Sequence, residues 1–282
     1  MKTYKILTLA LIIFSALLVP GCAINPVTGE NQFMLMKPTQ DIEIGKKYGP
    51  ILEKELGGKI ENEAICQYID SVGQKIARAS HSPNLKFTFS PVNDEMLNAM
   101  ALPGGHIIIT RGMLEKIETE AQLASILGHE AVHVTARHTA AAMSRQIGMN
   151  ILLTAAISQA SSQGAATAAQ LGSQLVGLKY SRDNEREADK YGMDYMVKAG
   201  YDPKGMVETM DMLNRENKIK PIEFFSTHPS PENRRENLLR HIGIRGYDNN
   251  YQGLKVAKEQ YKKNVLDVLE KMPKRKSKRE IR

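Results

Sequence analysis

The sequence predicts an α+β fold, mostly helical, with a small sheet set beside one central helix. Apolar residues recur at helical spacing in several separate stretches, and from Thr119 onward the chain reads almost entirely as helix. Strand-like patterns are confined to two short runs around a Pro-Gly-Gly turn. No internal repeat and no second domain can be picked out of the 282 residues, whose composition is that of an ordinary globular protein.

The first element is not part of the fold. Lys2 and Lys5 precede an apolar run from Ile6 to Val19, followed by Pro20, Gly21 and Cys22, which is the layout of a secretory signal peptide over residues 1–21. The run falls short of the roughly 20 residues a spanning helix needs. Val19-Pro20-Gly21-Cys22 resembles the lipobox of bacterial lipoproteins, in which the cysteine is acylated and becomes the first residue of the mature chain. That resemblance implies lipidation at Cys22 and attachment to a membrane through it. Ala23, in place of an acidic residue, implies the outer membrane, facing the periplasm.

Residues 22–38 are expected to form the lipidated tether leading into the domain, with Asn25-Pro26-Val27-Thr28-Gly29 as a turn-rich segment. A single domain is expected over 39–270. Helices follow from Ile42 to Leu56 and from Ala64 to Ile76. Leu85, Phe87 and Phe89 alternate with polar neighbours and predict a strand; Ile107-Ile108-Ile109-Thr110 predicts a second after the turn Pro103-Gly104-Gly105. Thr119-Glu120-Ala121-Gln122 has the form of a capping box and opens the next helix. Ala140 to Leu178 is rich in alanine, glycine, serine and glutamine, too sparse in apolar residues for a membrane span, and predicts helices joined near Ser161 to Gly164. Helical patterns resume from Arg182, Pro203, Pro231 and Gln252.

The net charge of +7 owes much to the ends: basic residues crowd 271–282, a solvated tail that could touch anionic lipid headgroups but does not point to nucleic acid. Cys66 lies in the amphipathic run of Ile65, Ile69, Val72 and Ile76 and is read as a small buried hydrophobe. With Cys22 carrying lipid, no intramolecular disulfide can form, so stability must come from the core and from any bound ion.

Chemistry is concentrated in His129-Glu130-Ala131-Val132-His133. Residues four apart share one face of a helix, so both imidazoles can reach one metal ion, with Glu130 beside them as a general base. Leu123, Ile126 and Leu127 give this helix an apolar face, and buried imidazoles need partners that a metal supplies. A catalytic zinc takes three protein ligands and keeps an open position. The long form of the motif is absent, since Thr139 and Ala136 stand where it requires histidine and glycine. His138, nine residues after His129, should point away on an ideal helix.

The third ligand is therefore sought in Ser181-Arg182-Asp183-Asn184-Glu185-Arg186-Glu187-Ala188-Asp189. Ser181 can cap a helix that sets Glu185 and Asp189 four apart, Glu185 to bind the metal and Asp189 to fix a ligand histidine by a hydrogen bond. Glu187 is the alternative ligand.

These two motifs together resemble the CAAX-prenyl-protease-like family of zinc metallopeptidases, which includes the HtpX and Oma proteases. The resemblance extends to Asn25-Pro26-Val27-Thr28-Gly29, Asn98-Ala99, Leu102-Pro103-Gly104-Gly105, Arg137-His138 and Ser226-Thr227-His228-Pro229, in the order of the soluble, exported lipoprotein branch. It implies a compact gluzincin domain holding one Zn2+ per chain on His129, His133 and Glu185, with Glu130 as base. It further implies that Asn98 to Thr110 forms an edge strand that takes a polypeptide substrate as an added strand, through Asn98, Ala99, Leu102, Pro103, Gly104 and Gly105. His228, held extended by Pro229, is implied to approach the metal, either blocking it or assisting the transition state. His81, His106, His138 and His241 are read as structural.

The function implied is a zinc endopeptidase for misfolded or unassembled envelope proteins, working beside envelope assembly or quality-control machinery. The alternative is an envelope chaperone for outer-membrane proteins with gated or secondary proteolysis. A zinc hydrolase of small molecules is disfavoured by the peptide-binding edge.

Overall fold

The computed structural model describes residues 22–157, 177–247 and 253–273, with side chains of 150–157 left aside. The leader, the join near Ser161 to Gly164 and residues 274–282 of the basic tail lie outside the described residues.

The chain opens with a hairpin, β1 (Cys22–Ile24) antiparallel to β2 (Asn31–Phe33). The Asn25 side chain closes its turn by accepting from Val27 N at 2.8 Å, and Gly29 supplies the positive φ of +78° that the turn requires. Helix α1 (Pro38–Glu55) follows, then α2 (Glu63–Ala79), whose Ile65, Ile69, Val72 and Ile76 are fully buried along one stripe. Asn62 starts α2 by accepting from Ile65 N.

Three strands come next: β3 (Thr88–Val92), β4 (Ala99–Leu102) and β5 (His106–Thr110). Their order is β3-β5-β4, with β3 parallel and β4 antiparallel to β5. Two expectations need correction here. The first strand begins at Thr88 and runs to Val92, later than the alternation from Leu85 suggested; Pro91, which lacks an amide proton, is tolerated because β3 is an edge. The segment to Thr110 is not all edge: β5 is the central strand, apolar at Ile107, Ile108 and Ile109 because it is covered on both faces, and of the segment's two strands only β4 lies at an edge.

After α3 (Arg111–Lys116) comes α4 (Glu120–Thr135), started by the expected capping box: Thr119 Oγ1 accepts from Gln122 N, and Gln122 Oε1 from Thr119 N, each at 3.1 Å. Every residue of α4 is buried, more than the single apolar face expected. It is the hub of the domain, in contact with α2, β4, α6 (Arg182–Lys198) and α7 (Lys204–Ile219). The remaining helices are α5 (His138–Ile157), α8 (Phe224–Thr227), α9 (Arg234–Arg245), α10 (Lys258–Tyr261) and α11 (Asp267–Lys271), the last two joined by a π turn at Lys262–Leu266. Buried Arg111 ties the C-terminal end down by donating to the carbonyls of Leu269, Met272 and Pro273. Cys66 is only half-buried, and both cysteines are free. Among the described residues no helix is long and apolar enough to cross a membrane.

Candidate active site

The site exists because α4 and α6 touch backbone to backbone. A Cβ added at Gly128 would come within 2.8 Å of the Gly192 carbonyl oxygen, and one added at Gly192 within 2.9 Å of His129 N. Only glycine at both positions lets two helices approach this closely. Ser181 caps α6 as the sequence predicts, accepting from Asn184 N at 3.1 Å, and so aims Glu185 and Asp189 at α4.

Ligand atoms of His129, His133, Glu185 and His228 all lie within 4.8 Å of one another, and all four residues are buried. His129 Nε2 is 3.1 Å from His133 Nε2 and 3.4 Å from Glu185 Oε2, while His133 Nε2 is 3.5 Å from Glu185 Oε1. His228 Nδ1 stands 3.1 Å from Glu185 Oε1 and 3.4 Å from His129 Nε2. Its Nε2 faces Glu130 Oε1 at 3.6 Å.

Both Glu130 oxygens and Glu185 Oε2 are buried without a hydrogen-bond partner. Buried carboxylate oxygens are costly in that state, and a cation among three imidazoles and a carboxylate resolves it. The donor set therefore fits a divalent metal. Glu187, the alternative ligand, is not in the cluster.

The ionisable groups of the cluster also shift one another. Burial opposes charge on His129, but the Glu185 carboxylate and the bond to Asp189 outweigh it and push its pKa up to about 9. Burial holds His133 neutral, its pKa well below the usual histidine range. Burial pushes the Glu130 carboxyl up, whereas His228 and His129 hold Glu185 well down against the same effect.

Each of the two clustered histidines on α4 has its own backing. His129 Nδ1 meets Asp189 Oδ1 at 3.1 Å, the contact the sequence predicts. Asp189 in turn accepts two bonds from Arg234 on α9, at 2.6 and 2.7 Å. His133 Nδ1 meets His138 Nδ1 at 2.9 Å, and the Tyr180 ring stacks on His133 at 3.8 Å. His138 is thus not the outward-pointing structural residue expected. Helix α4 stops at Thr135, and Arg137 adopts a left-handed φ of 59°, which turns the next side chain back. Asp41 and the Met36 carbonyl hold Arg137 there.

Arg234, Tyr180 and His138 are the site residues missed in the sequence. Arg137-His138 was visible as a motif, whereas nothing local marks Arg234 or Tyr180.

Of the residues expected to meet a substrate, Asn98 and Ala99 are buried where β4 begins. Asn98 accepts from Ala99 N through Oδ1 and leaves its buried Nδ2 without a partner. Alternate residues of β4 turn their backbone groups to the free edge. There the Ala101 carbonyl already accepts from Thr139 Oγ1 at 3.2 Å, itself bonded to Tyr180. Leu102 packs beneath α1 with Tyr48, Leu52 and Ile108, and Pro103, Gly104 and Gly105 form a turn against that same helix. Cys22 is exposed at the start of β1.

The family model described as "Peptidase family M48" matches residues 64–242. The chain is 30% identical over 251 residues to a beta-barrel assembly-enhancing protease of Yersinia pestis, covering 79% of this chain and 51% of that protein. It is 34% identical over 172 residues to the mitochondrial metalloendopeptidase OMA1 of Schizosaccharomyces pombe, covering 59% of this chain and 50% of that protein. With the metalloprotease LoiP of Escherichia coli the figures are 28% over 206 residues, 67% and 81%. The chain spans about half the length of the assembly-enhancing proteases it matches.

Proposed function

The chain belongs to peptidase family M48, and on that premise we propose that it is a zinc-dependent endopeptidase, with one Zn2+ per chain, acting on misfolded or unassembled cell-envelope proteins. The observation that carries this reading is the buried four-donor cluster with the unpartnered Glu130 carboxyl beside it. His129, His133 and Glu185 are the ligands proposed for zinc. A zinc ion held there supplies Lewis acidity toward a peptide carbonyl and lowers the pKa of water.

The chain's own residues supply the rest. Glu130 takes a proton from the attacking water and delivers it to the leaving amine nitrogen. Asn98 is proposed to donate to a carbonyl of a peptide added along β4, a reading supported by its buried, unpartnered Nδ2. Asp189 holds the His129 ring in the tautomer that leaves Nε2 free.

His228 reaches the same point as the three proposed ligands. It caps a four-residue helix ahead of Pro229. Two roles follow, a gate or a donor to the developing oxyanion. The His228→Ala variant separates them: higher turnover marks a gate, lower turnover a donor.

The envelope setting is supported by the relatives named as beta-barrel assembly-enhancing proteases. Lipidation at Cys22, placement at the outer membrane and work beside assembly or quality-control machinery complete the proposal. A chaperone as the main role is not favoured, since these relatives are named as proteases.

The test is casein cleavage by the purified full chain in detergent, with Glu130→Gln alongside and zinc measured in both. Cleavage by the wild type alone, with about one zinc in each, is the expected result. Equal cleavage by Glu130→Gln would remove the base from the account.

A further inference from the structure

We infer that His138, Glu187 and Asn25 form a positioning chain that fixes the ring of His133 and ties the metal site to the N-terminal hairpin. The inference rests on the metal reading above and adds residues to it.

The direction of every hydrogen bond in the chain is forced. His133 turns Nε2 toward the cluster, 3.1 Å from His129 Nε2 and 3.5 Å from Glu185 Oε1. A metal-binding nitrogen must carry a lone pair, so the proton of neutral His133 sits on Nδ1 and is donated to His138 Nδ1 at 2.9 Å. The proton of His138 is then on Nε2, which makes no hydrogen bond and faces the Glu187 carboxylate, Oε2 at 3.4 Å. The other Glu187 oxygen accepts from Asn25 Nδ2 at 2.9 Å. Asn25 cannot flip, because its Oδ1 is already taken by the amides of Val27 and Thr28.

The residues come from separate parts of the chain. His133 ends α4, His138 begins α5, Glu187 lies on α6, and Asn25 sits in the turn between β1 and β2. His133 and His138 are fully buried, and Asn25 is 6% exposed. A buried imidazole is expensive unless its polar atoms are bonded, so packing alone does not account for histidine at 138. Outer partners of this kind orient a ligand ring and select its tautomer. Asn25 lies three residues after Cys22, so the hairpin that begins at the proposed lipid site also ends the support of a metal ligand.

The test measures zinc affinity of the purified full chain in detergent by chelator competition, with thermal melting and the visible spectrum of the cobalt-substituted protein alongside. His138→Ala should weaken zinc binding about 10- to 100-fold and alter the cobalt spectrum. Glu187→Ala should weaken it about tenfold, and Glu187→Gln, whose single amide oxygen can serve only one of His138 and Asn25 while its NH2 faces the other donor, should fall between wild type and Glu187→Ala. The Glu187 pair decides the matter if His138→Ala does not fold. A lower melting temperature with unchanged affinity and spectrum in His138→Ala and Glu187→Ala would reduce these residues to a structural role and overturn the inference. A wild type that binds no zinc would overturn the metal reading itself, and this inference with it.

Discussion

His129 and His133 sit one turn apart on the same helix and face the same point, yet they are held from behind by different physics. Behind His129 stands an ion pair: Asp189, gripped by the two-bonded guanidinium of Arg234, which is 5% exposed. Behind His133 stands an uncharged ring, His138, with the nearest carboxylate one residue further out on Glu187. An ion pair out of water is stable only while both members are present, because removing one strands the other. A chain led by a neutral ring fails more gently, since its loss strands a hydrogen bond rather than a charge. The first support therefore belongs to the stability of the domain as much as to the metal, and the second belongs chiefly to the metal.

The largest effect should come from Arg234→Met, which leaves Asp189 and Glu185 without their guanidinium. Chemical denaturation should show a loss of about 3–5 kcal/mol. The matching lesion on the other side, His138→Ala, should cost about 1–3 kcal/mol. Equal losses would break the contrast.

Next is Asp189→Ala, which frees the His129 ring. Chelator competition should show zinc affinity about 10- to 100-fold weaker, a loss that Asp189→Asn restores in part by keeping an acceptor oxygen.

The two rings should also differ in how pH acts on the metal-free protein. His129 has a folded-state pKa raised to about 9, so its contribution is fully present below its ordinary value near 6.5 and is lost as pH rises through 9. His133, kept neutral by burial, has no such protonated form to lose over that range. Melting temperatures of the metal-free chain should therefore fall between pH 6.5 and 9, and His129→Gln should flatten the curve. With zinc bound the fall should vanish, because the metal replaces the proton.

The smallest effect should be that of Thr139→Val. It removes the hydroxyl bonded to both the Ala101 carbonyl and Tyr180, at a cost of about 1 kcal/mol, and frees that carbonyl on the β4 edge. A small gain in peptide affinity, read by fluorescence anisotropy, would accompany the loss if β4 is the substrate edge.

The same two supports show what a sequence makes legible. The His129 side rests on periodicity: four residues separate the two histidines, four separate Glu185 from Asp189, and Ser181 fixes where that helix starts. All of this follows from local rules for helices. The His133 side rests on one backbone angle, the φ of 59° at Arg137, which no periodic pattern encodes. An ideal continuation of α4 sends His138 outward, and the actual chain sends it back. Arg234 is invisible for a related reason, since it meets Asp189 across 45 positions with nothing local to announce it. In the sheet, the turn Pro103-Gly104-Gly105 and the apolar run of β5 were plain, but strand order depends on long-range pairing, so β5 could not be recognised as central. His228 was accessible only through family resemblance, because a histidine before proline has no chemical signature of its own.

One zinc ion is proposed on His129, His133 and Glu185, with His228 beside it. The most direct measurement is zinc-edge X-ray absorption of the purified full chain at rest. The expected result is one zinc with two imidazole nitrogens and one carboxylate oxygen, joined by a third imidazole that His228→Ala removes if His228 is a gate. A first shell of water oxygens alone, or a spectrum that His129→Ala leaves unchanged, would contradict it.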